Sequence, residues 1–121
     1  MSCLFNSLGA LVAENPQAIR GRICDWLATD PAIMDDLSAS TVIAVESNQI
    51  LESYVARMRL PATWGGAIEI RSFVQLWQRP VRVWAIRGRR WIEFPLATGV
   101  EATGAECLLS WTGWHYEPIR R

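Results

Sequence analysis

The hydrophobic spacing of this chain changes once, at Pro80, and that change sets the class of fold it can form. Before Pro80 apolar residues recur every three or four positions, the period of a helix with one buried face. After it they recur every second position, the period of a strand. Leu4 to Val12 is a short apolar segment directly behind Cys3. Asn15-Pro16 reads as a helix start, with Asn as N-cap and Pro at the first helical position. Ile19, Ile23 and Leu27 follow on one face, with Trp26 alongside. Thr29-Asp30-Pro31 ends that helix and opens a further turn through Met34 and Leu37. The next helix is expected from about Val45 to Met58, with Ile50, Leu51, Tyr54, Val55 and Met58 on one side and Pro61 closing it. Trp64-Gly65-Gly66 breaks the pattern. A last helix, about Ala67 to Trp77, carries Ile70, Phe73, Val74 and Trp77.

Beyond Pro80, Val81, Val83 and Ala85 alternate with Arg82, Trp84 and Ile86. Arg87-Gly88-Arg89 is a turn and Trp91 to Phe94 the returning strand of a β-hairpin. Thr98 to Gly104 is a loop, Cys107 to Trp111 an apolar strand, Thr112-Gly113 a turn, and Trp114 to Ile119 the final strand. Helices first and a small, mostly antiparallel sheet last define an α+β domain. With 121 residues, the expectation is a single domain over 1–121, long enough to bury one core.

Composition removes several function classes. Half the residues are apolar and twelve basic residues balance twelve acidic ones, which excludes a chain dominated by disorder. The same balance gives no global pull toward nucleic acid or anionic lipid. All twelve basic residues are Arg, which fits either codon bias or an avoidance of lysine modification. No apolar stretch approaches the roughly 18 residues of a membrane span, and the first twenty residues do not read as a secretory signal. Three cysteines, Cys3, Cys24 and Cys107, with one histidine, His115, make a poor metal set, lacking CxxC or HxxxH spacing. Neither a metal nor another cofactor is expected. An odd cysteine count without a signal reads as a reduced, cytoplasmic protein.

The pair available for acyl transfer is a cysteine with His115. Cys3 precedes a helical apolar run and can occupy its positive end, which lowers a thiol's pKa. Cys24 lies in a helix and Cys107 in an apolar strand, where both read as small buried hydrophobes. On residue types and spacing alone, a catalytic Cys3 and a core Cys3 both stay open.

Three segments resemble the ovarian tumour (OTU) family of cysteine deubiquitinases, a branch of the papain-like proteases. Ser2-Cys3-Leu4-Phe5 is similar to the family's nucleophile motif, usually Asp-Gly-x-Cys-Leu-Phe. Tyr54-Val55-x-x-Met58, followed by Thr63-Trp64-Gly65-Gly66-Ala67-Ile68-Glu69-Ile70, is similar to its central Tyr-x-x-x-Met…Trp-Gly-Gly-x-x-Glu-Leu motif. Trp114-His115-Tyr116-Glu117-Pro118-Ile119 is similar to its terminal His-Tyr-(Asp/Asn) motif. Their order and approximate spacing match and bracket nearly the whole chain.

The resemblance implies a papain-like OTU cysteine-protease fold, helices packed around a small sheet. It implies Cys3 as nucleophile, His115 as general base and later acid, and Glu117 at the position that orients the histidine. If the last segment is a strand from Trp114, His115 and Glu117 share a face of it; the other reading of Glu117 is a solvated strand residue. Trp64 and Gly65 read either as structural or as substrate-binding. Trp114 reads either as a wall of the channel that a Gly-Gly tail needs or as a sheet aromatic. Glu69 favourably faces a helix dipole, and Arg87, Arg89 and Arg90 form a solvated hairpin tip. The implied activity is hydrolysis of the isopeptide bond after the C-terminal glycine of ubiquitin or a ubiquitin-like modifier. The alternatives are a weak or inactive ubiquitin-binding module, a structural domain of a larger replicase, and a polyprotein-processing protease. The implied partner is ubiquitin or a relative, with no nucleic acid and no membrane, in a monomer or one domain of a larger polyprotein. Where the family carries Asp-Gly-x before the cysteine, this chain reads Met1-Ser2. The expectation is an N-terminally truncated or degenerate member, whose oxyanion hole uses backbone N–H groups around Cys3.

Overall fold

The structure is a computed structural model that describes residues 3–120. Helix α1 (Cys3–Val12) is followed by α2 (Pro16–Leu27), a short hairpin of β1 (Ala32–Met34) and β2 (Leu37–Ser38), and helices α3 (Ala39–Ser47), α4 (Leu51–Met58) and α5 (Ala67–Trp77). Strands β3 (Val81–Ala85), β4 (Arg90–Phe94), β5 (Cys107–Trp111) and β6 (Tyr116–Ile119) complete the chain. The period change at Pro80 is therefore the boundary between helices and main sheet. The N-cap at Asn15 also forms: its side-chain oxygen accepts from the backbone N–H of Gln17 at 2.8 Å and of Ala18 at 3.4 Å.

Three boundaries differ from the expectation. The turn through Met34 and Leu37 is the β1–β2 hairpin, with Asp35 at φ 52°, a left-handed conformation that Asp tolerates. The expected helix from Val45 to Met58 is two helices. Asn48 adopts φ 54° and donates its N–H to the Ala44 carbonyl, ending α3 in a left-handed cap. Ser38 starts α3 earlier than expected, accepting from the Thr41 N–H. Ile50, expected on the apolar side, is exposed in the break between the two helices. The last strand starts at Tyr116, which leaves Trp114 and His115 in the turn that precedes it.

The main sheet has the order β4-β3-β5-β6. Its two outer pairings are antiparallel, and the central one, β3 with β5, is parallel. After β4 the connection over 95–106 returns the chain to the far side of β3, where β5 runs in the same direction as β3. The sheet is thus mixed, with an antiparallel majority. Val81, Val83, Cys107 and Leu109 turn inward from it. They join one buried cluster with Leu4, Phe5 and Leu8 of α1, Ile19, Ile23 and Leu27 of α2, and Ile70 and Phe73 of α5.

Helix α2 is the axis of the helical layer and touches α1, α4 and α5. Its Arg20 is only 2% exposed. The guanidinium donates to the main-chain carbonyls of Met58 (2.6 Å), Pro61 (3.2 Å) and Thr63 (2.9 Å), and lies 4.3 Å from the Phe5 ring centre. A cation here satisfies a carbonyl at the end of α4, where helices leave such groups without partners. Replacing Arg20 by Met keeps apolar bulk and strands the carbonyls. Arg20→Met is expected to lower stability by about 2–4 kcal/mol, read from urea denaturation followed by circular dichroism.

Candidate active site

Cys3 is the first residue of α1, so its side chain stands at the positive end of that helix. The next apolar residues, Leu4, Phe5 and Leu8, are fully buried and anchor the helix, which leaves Cys3 half-buried at the edge of the core. The thiol accepts a hydrogen bond from the backbone N–H of Tyr116, with N···Sγ 3.5 Å. One turn further along α1, the Ser7 hydroxyl donates to the Tyr116 carbonyl at 3.1 Å. Residues 113 positions apart in the chain thus meet at the start of β6.

His115 immediately precedes that strand. The turn before it is tied at Thr112, whose hydroxyl accepts from the N–H groups of Trp114 (3.3 Å) and His115 (3.1 Å). Thr112 N–H in turn donates to the His115 carbonyl at 3.1 Å. Gly113 has φ 106°, which a side chain would strain, so glycine is the residue that lets this turn close. His115 is exposed.

A cavity of about 470 Å³ opens beside the thiol. Cys3, Gly113, Trp114 and Tyr116 line one end, Val83, Ile92, Phe94 and Trp111 of the sheet form its floor, and Trp64 to Ala67 with Ile70 form the facing wall. Trp64 and Trp114 are 56% and 69% exposed, so two indoles stand in solvent at the rim of an otherwise apolar cleft. Gly65 faces the cleft on one side and α1 on the other. A Cβ there would lie 2.8 Å from Leu4 Cδ2 and 3.0 Å from Phe5 Cε2. Gly65→Ala is expected to force these core side chains aside and destabilise the fold by about 1–3 kcal/mol, measured by urea titration.

The Trp64 to Gly66 part of the wall lacks secondary structure and is fixed from behind. Glu69, 1% exposed, accepts from the Gly66 N–H at 2.7 Å, one half of a capping box at the start of α5. Its other oxygen accepts from the Tyr54 hydroxyl at 2.6 Å. Burial pushes the Glu69 carboxyl up to about 7, against the hydrogen bonds from Tyr54 and Gly66 and the positive charge of Arg20. Burial, together with the Glu69 charge, also holds the Tyr54 phenol well above its usual range. The unfolded chain releases the Glu69 proton near 4.5 and the folded chain near 7, so the folded state binds it more tightly. This contribution to stability is complete below about pH 4.5 and is lost as pH rises through about 7, a span worth on the order of 3 kcal/mol. Urea titrations from pH 4.5 to 8 are expected to show that decline in the wild type relative to Glu69→Gln.

The other thiols are different in kind. Cys24 and Cys107 are buried, and burial pushes both up, Cys24 to about 11. Among the described residues no group of His, Cys, Asp and Glu side chains is placed to hold a metal ion. The structure brings Cys3, Trp64, Gly65 and Trp114 onto one cleft, with His115 between two of its lining residues. Trp114 sits in the turn and not in the sheet. His115, outside the strand, does not take the strand-face relation to Glu117 that a strand from Trp114 implied. Glu117 is exposed on β6, paired with Ser110. Among the described residues no hydrogen bond joins the side chains of His115 and Glu117. Met1 and Ser2, where the departure from Asp-Gly-x falls, lie outside the described residues. Sequence reasoning did not single out Arg20 or Ser7, and read Tyr116 only as part of a motif. Arg20 carried one signal: it lies four residues before the buried Cys24, on the inward side of α2.

The fold that carries this cleft is that of the OTU domains. No family model matches the sequence, and no curated protein does; the likeness lies in the solved structures. An OTU domain in complex with ubiquitin superposes with a TM-score of 0.74 at 17% identity, over 96% of this chain and 62% of that one. The viral OTU domain protease from Dera Ghazi Khan virus gives 0.69 at 16% identity, over 98% and 73%. The OTU domain of OTUD1 gives 0.74 at 13% identity, over 98% and 79%. This chain therefore has the OTU fold, and it spans about three fifths of the ubiquitin-bound domain it matches.

Proposed function

We propose that this chain is a thiol-dependent isopeptidase acting on the bond after the C-terminal glycine of ubiquitin or a ubiquitin-like modifier. The observation that carries the reading is the meeting of Cys3, at a helix N-terminus and open to an apolar cleft, with the segment bearing His115. The OTU fold supports the reaction class, and one structure of that fold holds ubiquitin.

In this reading the nucleophile is the Cys3 sulfur as thiolate, which stands at a helix N-terminus and accepts from the Tyr116 N–H. The thiolate attacks the glycine carbonyl, forming the S–C bond, while backbone N–H groups near Cys3 receive the oxyanion. His115, as imidazolium, protonates the lysine nitrogen as the C–N bond breaks, leaving a thioester. His115 then takes a proton from water, the hydroxide attacks the thioester, and the sulfur departs as thiolate. Trp64, Gly65 and Trp114 bound the channel that admits the tail. Glu117 holds the lesser part, since among the described residues no hydrogen bond joins its side chain to that of His115. A ubiquitin-binding module without turnover is the second reading, favoured by that same missing hydrogen bond.

Labelling by ubiquitin with a C-terminal electrophile, read by intact mass, tests the proposal. A single adduct is expected in the wild type and none in Cys3→Ala. Turnover of a fluorogenic ubiquitin amide is expected to fall roughly 10²–10⁴-fold in His115→Ala and less in Glu117→Ala. A folded wild type that forms no adduct overturns the protease reading, and an adduct without turnover supports the binding module.

A further inference from the structure

We infer that Ser7 is a positioning residue: its buried hydroxyl fixes the backbone of Tyr116 and thereby sets how the Cys3 helix meets the His115 segment. The inference rests on the proposed thiol chemistry at this cleft, and its physical basis is independent of the substrate.

Strand β6 is an outer strand of the sheet, with β5 on one side only. Tyr116 pairs with Trp111, Glu117 with Ser110 and Pro118 with Leu109. In an antiparallel pair the main-chain groups of successive residues alternate between the partner strand and the outer edge. Pro118 has no N–H to give β5, which suits a residue whose groups face outward. Tyr116 is two residues away and has the same parity. Its N–H and C=O therefore point away from the sheet, toward α1.

Outward-facing groups on a covered edge need partners. Both of Tyr116's are met by one face of α1. Cys3 Sγ takes the N–H and Ser7 Oγ supplies the carbonyl, at 3.5 and 3.1 Å. Residues four apart on a helix lie one above the other, so this spacing suits two adjacent groups of a single strand residue. Ser7 is 3% exposed, and water does not substitute freely for its hydroxyl.

The two bonds are not equivalent. The one to sulfur is long and weak while the thiol is neutral, and it strengthens when the sulfur is charged. The one from Ser7 is indifferent to the charge on sulfur. It holds Tyr116 in place throughout and keeps the N–H aimed at the thiol. His115 is joined to Tyr116 through one peptide bond, so the same anchor limits where the imidazole can stand relative to Cys3. Side chains of similar size without the hydroxyl fill the space but leave the carbonyl without its donor.

The test compares Ser7→Ala and the isosteric pair Ser7→Thr and Ser7→Val, which differ from each other in the hydroxyl alone. Two quantities are read on folded protein: alkylation of Cys3 by iodoacetamide, followed by intact mass, and turnover of a fluorogenic ubiquitin amide. Ser7→Ala and Ser7→Val are expected to lose roughly tenfold to a hundredfold in kcat with little change in KM. They are expected to slow Cys3 alkylation as well. Ser7→Thr is expected to stay near the wild type in both. Should Ser7→Ala fail to fold, the Thr and Val pair carries the comparison. Equal behaviour of Ser7→Thr and Ser7→Val, or a lowered melting temperature with kcat and alkylation unchanged, overturns the inference. If the wild type turns over no ubiquitin substrate, the isopeptidase proposal fails, and the alkylation comparison still decides the role of Ser7.

Discussion

A buried guanidinium, that of Arg20, is held by three main-chain carbonyls and an aromatic face rather than by a carboxylate in contact. The carbonyls belong to the end of α4 and to the segment running up to Trp64. The ring belongs to Phe5, two residues after Cys3. Both sides of the cleft thus lean on one side chain. Hydrogen bonds from a charged donor are worth about 1.5–3 kcal/mol each, more than neutral ones, and a charge left without them in the interior is heavily penalised. The segment from Met58 to Thr63 therefore has one arrangement that gives the two terminal nitrogens of the guanidinium their acceptors, and departures from it leave those N–H groups and the carbonyls unmet.

Glu69 does the same for the other end of the wall. Its two oxygens engage the Gly66 N–H and the Tyr54 hydroxyl, binding the start of α5 to α4. Between these supports, Trp64-Gly65-Gly66 runs as a thin partition, with Gly65 against α1 where a side chain does not fit. Apolar residues in these places would pack as well and cost less to bury, but they would not specify where a loop's backbone lies. The polar groups fix the wall, and the wall defines the cleft.

On the opposite side, the helix that begins at Cys3 and the histidine segment meet through two helix side chains and the main chain of Tyr116. Cys3 and Ser7 take up the outward N–H and carbonyl of Tyr116, so α1 closes an edge of the sheet that would otherwise be open. The apolar residues behind Cys3 hold the helix, and the Thr112–Gly113 turn holds the approach to His115. The chemistry at this junction is local, while its geometry is inherited from packing across the whole chain.

Much of this was legible in the sequence. The change of period at Pro80 divided helices from sheet, because side-chain spacing reports directly on backbone geometry. The three motifs marked Cys3, the Trp64 to Glu69 segment and His115. The break at Asn48 was not legible, because the apolar spacing continues through it and a left-handed cap depends on one residue's local freedom. The parallel pairing of β3 with β5 was equally hidden, since strand direction is set by how 95–106 crosses the sheet. Arg20 reads in sequence as one more surface charge, and only the convergence of three distant carbonyls makes it internal. Sequence by itself determined the division into helices and main sheet and the residue types available for thiol chemistry, through periodicity and composition. Tertiary structure alone decided which of them meet, because the contacts that matter join residues as far apart as Cys3 and Tyr116, and no local preference encodes that distance.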